Sequence, residues 1–204
     1  MNENIKTVIF YGRSGSGKGT QAVLLRKFLE EHDEDTDTLY FETGKAFREL
    51  AEKDTVAGRL TKDVLDRGGL MPALLVVWLW GDYFINHVQE NKHLILDGVA
   101  RRPEEAPLVH DALKFFERKK TVIIVMNTSA DWSFDRLKER GRYDDTDENI
   151  RKRLSWFDTE TAQAIDYFRQ HEGDYNIIDI NGEQPIEKVH ADILEALDLS
   201  HHTS

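Results

Sequence analysis

The sequence contains no cysteine, which excludes both a disulfide framework and thiol chemistry. It also lacks any apolar stretch of about 18 residues, the length at which a helix can cross a membrane. Basic residues are in the minority, because 38 aspartates and glutamates against 27 lysines and arginines give a net charge of −11. Proteins that bind duplex nucleic acid are usually basic. We therefore expect no nucleic-acid or membrane partner, and basic residues that act locally on small anions.

The length of 204 residues suits one domain with a sizeable core. The first residues, MNENIK, carry charge and lack the apolar region of a signal peptide. We expect a monomer in the cytoplasm, with a single domain at residues 1–200 and a disordered tail at 201–204.

A glycine-rich loop at residues 12–20 follows the apolar run Val8–Tyr11 and precedes a helical pattern. The spacing Gly12-x-x-x-x-Gly17-Lys18 is typical of a phosphate-binding loop, or P-loop. Glycines let the backbone approach an anion closely, and the N–H groups at a helix N-terminus attract phosphate oxygens. Lys18 adds a full positive charge. A plain glycine-rich turn is the alternative, but the strand before the loop and the helix after it favour phosphate binding.

Four further apolar runs predict four more strands. Continuous apolar runs are typical of a parallel sheet that is covered on both faces. Helical patterns separate the runs, so we predict an α/β fold of three layers with a five-stranded parallel sheet. One of these patterns, residues 73–89, is apolar nearly all round and predicts a core helix rather than a membrane or partner surface. The four runs are Leu39–Phe41, His93–Asp97, Thr121–Met126 and Ile177–Ile180.

Asp97 ends the third of the five strands, and ligands bind at the carboxyl ends of strands in open α/β sheets. An aspartate there is suited to hold Mg²⁺, directly or through water. The alternative is a turn formed by Asp97 and Gly98. The acidic run at residues 30–37 is interpreted as a solvated connector, with a metal site as its second interpretation.

The loop sequence Gly17-Lys18-Gly19-Thr20-Gln21 resembles that of adenylate kinases and related nucleoside monophosphate kinases. An ordered set of such motifs continues this resemblance along nearly the whole chain. The resemblance implies the P-loop fold with sheet order 2-3-1-4-5. It also implies transfer of the γ-phosphoryl group from Mg·ATP to a nucleoside monophosphate, with Thr20 reaching the Mg²⁺ through water. The ATP-binding residues that it implies are Gly12, Ser14, Gly15, Ser16, Gly17, Lys18, Gly19, Thr20, Arg136 and Gln184.

Residues 43–72 resemble the helical insertion that binds the acceptor nucleotide in this family. Thr43 and Arg48 match its base-neighbouring threonine and phosphate-binding arginine, whereas Glu42 and Lys45 replace Ser and Asp. Residues 69–72 resemble a turn that closes over the acceptor base. Residues 97–101 resemble the motif Asp-Gly-Phe-Pro-Arg, with Val and Ala in place of Phe and Pro. The implied acceptor-binding residues are Thr43, Gly44, Arg48, Leu70, Gly98, Arg101 and Glu105.

Glu105 occupies the position of a glutamine that recognises adenine in adenylate kinases. An ionised carboxylate only accepts hydrogen bonds, so it suits the N1–H and N2–H₂ edge of guanine better than adenine. We expect a purine acceptor, AMP first by resemblance, with GMP or dGMP as the rival. The alternative is that the Glu105 side chain simply faces solvent.

The segment RGRYDDTDENIRKRL, residues 140–154, resembles the one that follows the lid in this family, where arginines converge on the moving phosphoryl group. An exposed, salt-bridged helix is the alternative. Gly141 alone separates two of the arginines, so the lid at 140–142 is minimal. Because lids exclude water, we expect ATP hydrolysis in the absence of acceptor. The implied catalytic residues are Lys18, Arg101, Arg136, Arg140, Arg142 and Arg153.

Two other classes of function remain open from the sequence. Another P-loop small-molecule kinase would keep Lys18 and Asp97 but would not need the acceptor arginines. A non-catalytic nucleotide-binding relative would explain the minimal lid and the changed residues at 99, 100 and 105. Against it, every charged position that handles phosphate is present.

Overall fold

The structure is a computed structural model that describes residues 5–33, 36–171 and 173–200. The predicted tail at 201–204 lies outside the described residues, as do two positions of the acidic run at 30–37. Glu30 and Glu31 of that run belong to the last turn of the first helix.

Five parallel strands form one sheet in the order β2-β3-β1-β4-β5, which confirms the predicted fold class and strand order. Each predicted strand is present, and most extend a residue or two beyond the apolar run that predicted them. The strands are β1 (Thr7–Gly12), β2 (Thr38–Glu42), β3 (His93–Asp97), β4 (Thr121–Asn127) and β5 (Tyr175–Asn181).

Helices connect the strands, and a five-residue π-helical turn, Phe157–Thr161, lies between two of them. Two helices, α5 and α8, were not predicted from the sequence. The helices are α1 (Lys18–His32), α2 (Thr43–Ala51), α3 (Val56–Asp66), α4 (Ala73–His87), α5 (Ala106–Phe115), α6 (Ala130–Arg140), α7 (Asp147–Trp156), α8 (Ala162–Arg169) and α9 (Ile186–Ala196).

Both faces of the sheet are apolar, because successive side chains of a strand point to opposite sides. Val8 and Phe10 of β1 pack into the layer that contains α1 and α9. Ile9 and Tyr11 pack into the layer that contains α4, α5 and α8. The continuous apolar run therefore supplies two cores, which gives the three-layer arrangement.

Helix α4 buries only part of its apolar surface, which corrects the prediction of a core helix from its sequence. Val76, Trp80 and Phe84 are buried, whereas Leu74 and Ile85 are more than three-quarters exposed. Within the described residues no helix is both long and apolar enough to cross a membrane.

Local capping sets the ends of the helices that carry the predicted arginines. The Ser129 hydroxyl accepts a hydrogen bond from the Trp132 amide at the start of α6, and Gly141 in the left-handed conformation ends that helix. The Thr146 hydroxyl accepts from the Asn149 amide at the start of α7. These caps hold α6 and α7 beside the carboxyl edge of the sheet, where the site lies.

Candidate active site

The carboxyl ends of the strands and the helices beside them enclose a cavity of about 510 Å³. Every residue that the sequence assigned to the site lines this one cavity. These residues are Gly12, Ser14, Gly15, Ser16, Gly17, Lys18, Gly19, Thr20, Thr43, Gly44, Arg48, Leu70, Asp97, Gly98, Arg101, Glu105, Arg136, Arg140, Arg142, Arg153 and Gln184. The structure thus brings the set together, although the role of each residue stays a prediction.

The P-loop depends on backbone conformations that only glycine adopts without strain. Gly15 has φ +85°, and a Cβ atom at this position would lie 2.6 Å from the carbonyl oxygen of Ser133. Gly17, with φ +90°, immediately precedes α1. The first amides of an α-helix have no partner within the helix. The start of α1 lines the cavity, so it offers donors of the kind that favour phosphate.

The Lys18 ammonium group donates a hydrogen bond to the carbonyl oxygen of Arg13 at 2.9 Å. Burial lowers the pKa of Lys18 to about 8, while the neighbouring Asp97 carboxylate opposes that change. The side chain is therefore mostly charged at neutral pH. The carbonyl oxygen that accepts its hydrogen bond is uncharged, so a phosphate oxygen can replace it as the acceptor.

Asp97 ends β3 beside the P-loop, and its burial raises the pKa of the carboxyl group despite the nearby charge of Lys18. The Tyr40 hydroxyl lies 3.5 Å from Oδ2 of Asp97. A Cβ atom at position 19 would lie 3.3 Å from the same oxygen. Gly19 therefore leaves room for the Asp97 carboxylate at the mouth of the P-loop.

The described residues contain no group of three His, Cys, Asp or Glu side chains that could hold a metal ion. Mg²⁺ is usually bound by one or two carboxylates together with substrate phosphates and water. Asp97 and the exposed Thr20 both line the cavity and fit that pattern. The donor set thus suits an ion that arrives with a nucleotide rather than a resident metal.

A buried carboxylate holds two of the predicted arginines. Asp145 accepts hydrogen bonds from Arg140 at 2.8 and 3.0 Å and from Arg153, and its side chain is 1% exposed. Burial alone would raise the pKa of Asp145, but the hydrogen bonds from Arg140 and Arg153 outweigh it and lower the pKa. Asp144 also pairs with Arg153, at 2.9 Å. Arg140, Asp144 and Arg153 also line the cavity. The salt bridges of the alternative interpretation are therefore present, but they involve residues that face the cavity.

Other predicted arginines lack such partners. Within the described residues no carboxylate lies within salt-bridge distance of Arg101, Arg136 or Arg142. The Arg136 guanidinium lies 4.7 Å from the ring centroid of Trp132, one helical turn earlier in α6. These three cations are thus placed without an internal anion.

On the acceptor side, Arg48 of α2 pairs with Glu42 at 2.8 Å. Arg101 donates from Nε to the carbonyl oxygen of Gly98 at 3.1 Å. Gly98 has φ +71°, a left-handed backbone conformation that favours glycine. The Thr43 hydroxyl is buried, and among the described residues it has no hydrogen-bond partner.

Glu105 is 1% exposed, so the alternative in which it faces solvent is wrong. Its carboxylate accepts hydrogen bonds from the backbone amides of Arg101 and Arg102 at 2.9 and 3.4 Å. Burial raises the pKa of Glu105, and the two amides oppose that change. Glu105 therefore holds the turn that carries Arg101. Tyr11 also lines the cavity, and its buried hydroxyl has no hydrogen-bond partner in the part of the chain that the structure describes.

The loop after β5 closes the opposite end of the cavity. Gln184 donates to the carbonyl oxygen of Asn181 and to Asp192, both at 2.9 Å. A Cβ atom at position 182 would lie 3.3 Å from the carbonyl oxygen of Ser16, so this loop packs closely on the P-loop.

Several contacts that shape the site were not predicted from the sequence. Glu42 was noted only as a departure from the family pattern, and its ion pair with Arg48 was not predicted. Trp132 could have been found, because it lies four residues before Arg136 on one helix face. Arg13 leaves the P-loop, stacks 4.5 Å from the Phe157 ring centroid and pairs with Asp158 at 2.5 Å; no local signal predicts this contact.

Comparison with known proteins agrees with this geometry. Residues 10–173 match the family model described as adenylate kinase. Adenylate kinase of Prochlorococcus marinus (strain AS9601) is 31% identical over 193 residues, which cover 94% of this chain and 98% of that protein. Adenylate kinase of Mycolicibacterium smegmatis is 34% identical over 93% of this chain and 98% of its own. Adenylate kinase of Mycobacterium tuberculosis (strain ATCC 25177 / H37Ra) is 36% identical over 79% of this chain and 85% of its own.

Proposed function

The chain belongs to the adenylate kinase family of phosphotransferases, and we propose that it transfers the γ-phosphoryl group of ATP to a purine nucleoside monophosphate, AMP first. The observation that carries this proposal is the convergence of Lys18 and the six predicted arginines on one cavity. Phosphoryl transfer asks a protein for positioning and charge neutralisation more than for a covalent nucleophile. A cavity lined by these cations offers both.

The donor half of the cavity comprises the P-loop, Asp97 and the loop after β5. The P-loop amides and Lys18 bind the β- and γ-phosphates of ATP, and the backbone around Gln184 lies against the adenine. Asp97 and, through water, Thr20 hold the Mg²⁺ that accompanies ATP and supplies charge neutralisation at the phosphate oxygens. Arg136 is placed along the same wall by Trp132.

The acceptor half presents Arg48 and Arg101 to the monophosphate. An acceptor phosphate oxygen attacks the γ-phosphorus in line, and the bond from that phosphorus to the oxygen bridging it to the β-phosphate breaks as the new bond forms. The acceptor oxygen is already anionic, so no general base is required. Arg140, Arg142 and Arg153 offset the charge on the moving group.

We also propose roles for two segments on the basis of the family resemblance. Residues 43–72, which include α2 and α3, bind the acceptor nucleotide, and residues 140–142 are a minimal lid. A lid excludes water from the phosphoryl group. We therefore expect ATP hydrolysis without acceptor at a rate above that of a buffer blank, and acceptor-free turnover equal to the blank would contradict it.

GMP or dGMP is the second candidate acceptor, and Glu105 is the observation that favours it. Glu105 lines the cavity. Its Oε2 already accepts from the amides of Arg101 and Arg102, but a carboxylate has further lone pairs, which suit the N1–H and N2–H₂ groups of guanine. Steady-state rates with AMP, GMP, CMP and UMP decide between the purines. A clear preference for a pyrimidine would overturn the purine proposal. A monomeric state and a cytoplasmic location stay predictions.

A coupled assay of ADP formation from ATP and AMP tests the proposed function. Lys18→Ala should lower kcat/KM by at least about 100-fold, because it removes the P-loop cation proposed to bind the β- and γ-phosphates. Lys27→Ala is the matched control, since Lys27 lies on the same helix, is exposed and pairs with the exposed Glu31. Turnover that persists unchanged in Lys18→Ala would refute this site.

A further inference from the structure

We propose that Glu42 is a built-in competitor for the acceptor phosphate: its carboxylate occupies the Arg48 guanidinium until a nucleotide displaces it. Glu42 thereby sets the affinity of the acceptor half for every anion. This inference rests on the proposed function, in which Arg48 binds the acceptor monophosphate.

The contact itself is direct. Nη2 of Arg48 lies 2.8 Å from Oε1 of Glu42, and both residues line the cavity. Within the described residues Arg48 has no other carboxylate partner. Carboxylates and phosphates bind the same fork of guanidinium donors, so Glu42 and an acceptor phosphate compete for the same N–H groups.

The surroundings of Glu42 make the pair easy to break. The two side chains are 25% and 35% exposed, and ion pairs that solvent reaches are weak. Glu42 is also the register partner of Asp97 on the neighbouring strand, and the two carboxylates repel each other, which contributes to the raised pKa of Asp97. A further anion bound at the P-loop would increase that repulsion.

Every anion that binds Arg48 must first displace Glu42. The free-energy cost of breaking this ion pair is therefore the same for each anion and weakens the binding of all of them. A nucleoside monophosphate adds base and ribose contacts and still binds, whereas inorganic phosphate has only the cations. The minimal lid leaves Arg48 accessible to small anions, and the ion pair with Glu42 keeps the Arg48 guanidinium occupied.

The test compares Glu42→Gln, which keeps the shape and removes the charge, with Glu49→Gln. Glu49 lies on α2, the helix that Glu42 precedes, and its side chain is 62% exposed and pairs with Lys45 at 3.7 Å. Calorimetric titration of AMP and of inorganic phosphate, without ATP, gives the binding constants. Glu42→Gln should bind both anions about fivefold more tightly than the wild type, and Glu49→Gln should match the wild type.

Two further readouts separate competition from a structural effect. The gain in Glu42→Gln should shrink as salt rises, because an ion pair is screened. In an Arg48→Met background the Glu42→Gln change should have no effect on AMP binding, since the pair is already absent. Kinetically, KM for AMP should fall while KM for ATP stays within about twofold.

Three results would overturn the inference. AMP binding that is weaker in Glu42→Gln would mean that Glu42 positions Arg48 or contacts the acceptor. Unchanged binding would mean that no displacement occurs, and a gain that persists with Arg48→Met would indicate general repulsion. Failure of the proposed function is a separate outcome: it would appear as absent turnover in the wild type, whereas phosphate titration still decides the role of Glu42.

Discussion

The two halves of the cavity are built in different ways. The donor half depends on backbone: glycines with positive φ, the first amides of α1 and a lysine held by a carbonyl oxygen. The acceptor half depends on side chains that hold one another, such as Arg48 with Glu42 and the turn at Arg101 with Glu105. A site built from backbone groups tolerates few substitutions, but it needs few supporting side chains. A site built from side chains can be retuned by one substitution.

Breaking the donor half should give the largest effect. Gly15→Ala forces a side chain onto φ +85° and puts its Cβ 2.6 Å from a backbone oxygen. We expect a loss of about 2–4 kcal/mol in the free energy of unfolding and no measurable ATP binding. Urea denaturation and ATP titration measure these two quantities.

Gly81→Ala is the control for that experiment, because a Cβ atom at position 81 would contact nothing within 4 Å. Gly81 lies inside α4, where alanine is favoured over glycine by about 1 kcal/mol. The control should be slightly stabilised and should bind ATP normally. A Gly15→Ala protein that binds ATP as the wild type does would contradict the backbone description of the donor half.

Breaking the acceptor half should give a smaller and more selective effect. Arg48→Ala removes one of the two arginines proposed to bind the acceptor phosphate, so KM for AMP should rise about 10- to 100-fold. KM for ATP should stay within about twofold, as steady-state kinetics with either substrate varied would show.

Arg59→Ala is the matched change, since Arg59 lies on the neighbouring helix α3 and is 67% exposed at its side chain, near Asp63. It should leave both constants unchanged. If Arg48→Ala raised the two KM values equally, the two halves would not be separable.

Much of the fold could be predicted because its signals are local. Continuous apolar runs gave all five strands, and the strand-loop-helix context gave the P-loop. Helices α5 and α8 were missed although they carry apolar stripes, because both are short and α8 follows a π-helical turn rich in polar residues. Short patterns of this kind do not separate a helix from a loop.

The candidate site was predictable in membership but not in its internal contacts. All assigned residues line one cavity, because motifs at the carboxyl ends of parallel strands meet at one edge. The pairing of Glu42 with Arg48, and of Glu105 with two backbone amides, depends on side-chain directions and turn geometry. Sequence spacing carries no information on either.

The pH dependence of the two KM values offers a third way to separate the donor half of the cavity from the acceptor half, because Lys18 belongs to the donor half. Burial lowers its pKa to about 8 from an ordinary value near 10.5. Above pH 8 the charge is lost, so KM for ATP should rise by up to about tenfold per pH unit. Arginine stays charged in this range, so KM for AMP should stay flat. Kinetics between pH 7 and 9.5 measure both, and a parallel rise in the two constants would contradict the division.

The lowered pKa of Lys18 should affect stability in the opposite direction to ATP binding as the pH rises. The unfolded chain holds the Lys18 proton up to about pH 10.5, whereas the folded protein releases it near pH 8. Between these values the unfolded state binds more protons, so this residue makes the free energy of unfolding rise with pH. Weaker ATP binding above pH 8 would therefore not be a result of unfolding at Lys18.

The smallest expected effect concerns a contact that joins the acceptor insertion to the arginine-bearing segment. Nδ2 of Asn149, in α7, donates to the carbonyl oxygens of Asp66 and Asp144 at 3.0 and 3.3 Å. Asn149→Ala should lower the free energy of unfolding by about 1 kcal/mol. It should also lower Tm by a few degrees. Because Asp66 ends α3, we further expect a rise in KM for AMP of about two- to threefold.

Asn86→Ala supplies the comparison, because Asn86 makes two similar hydrogen bonds to Asp82, at 2.9 and 3.1 Å, on the exposed surface of α4. Water replaces such bonds, so its stability change should stay within about 0.5 kcal/mol and its KM values should not move. Equal losses in the two variants would mean that the Asn149 contact is ordinary helix support. A rise in KM for AMP in Asn149→Ala alone would instead show that the acceptor half extends across the cavity to α7.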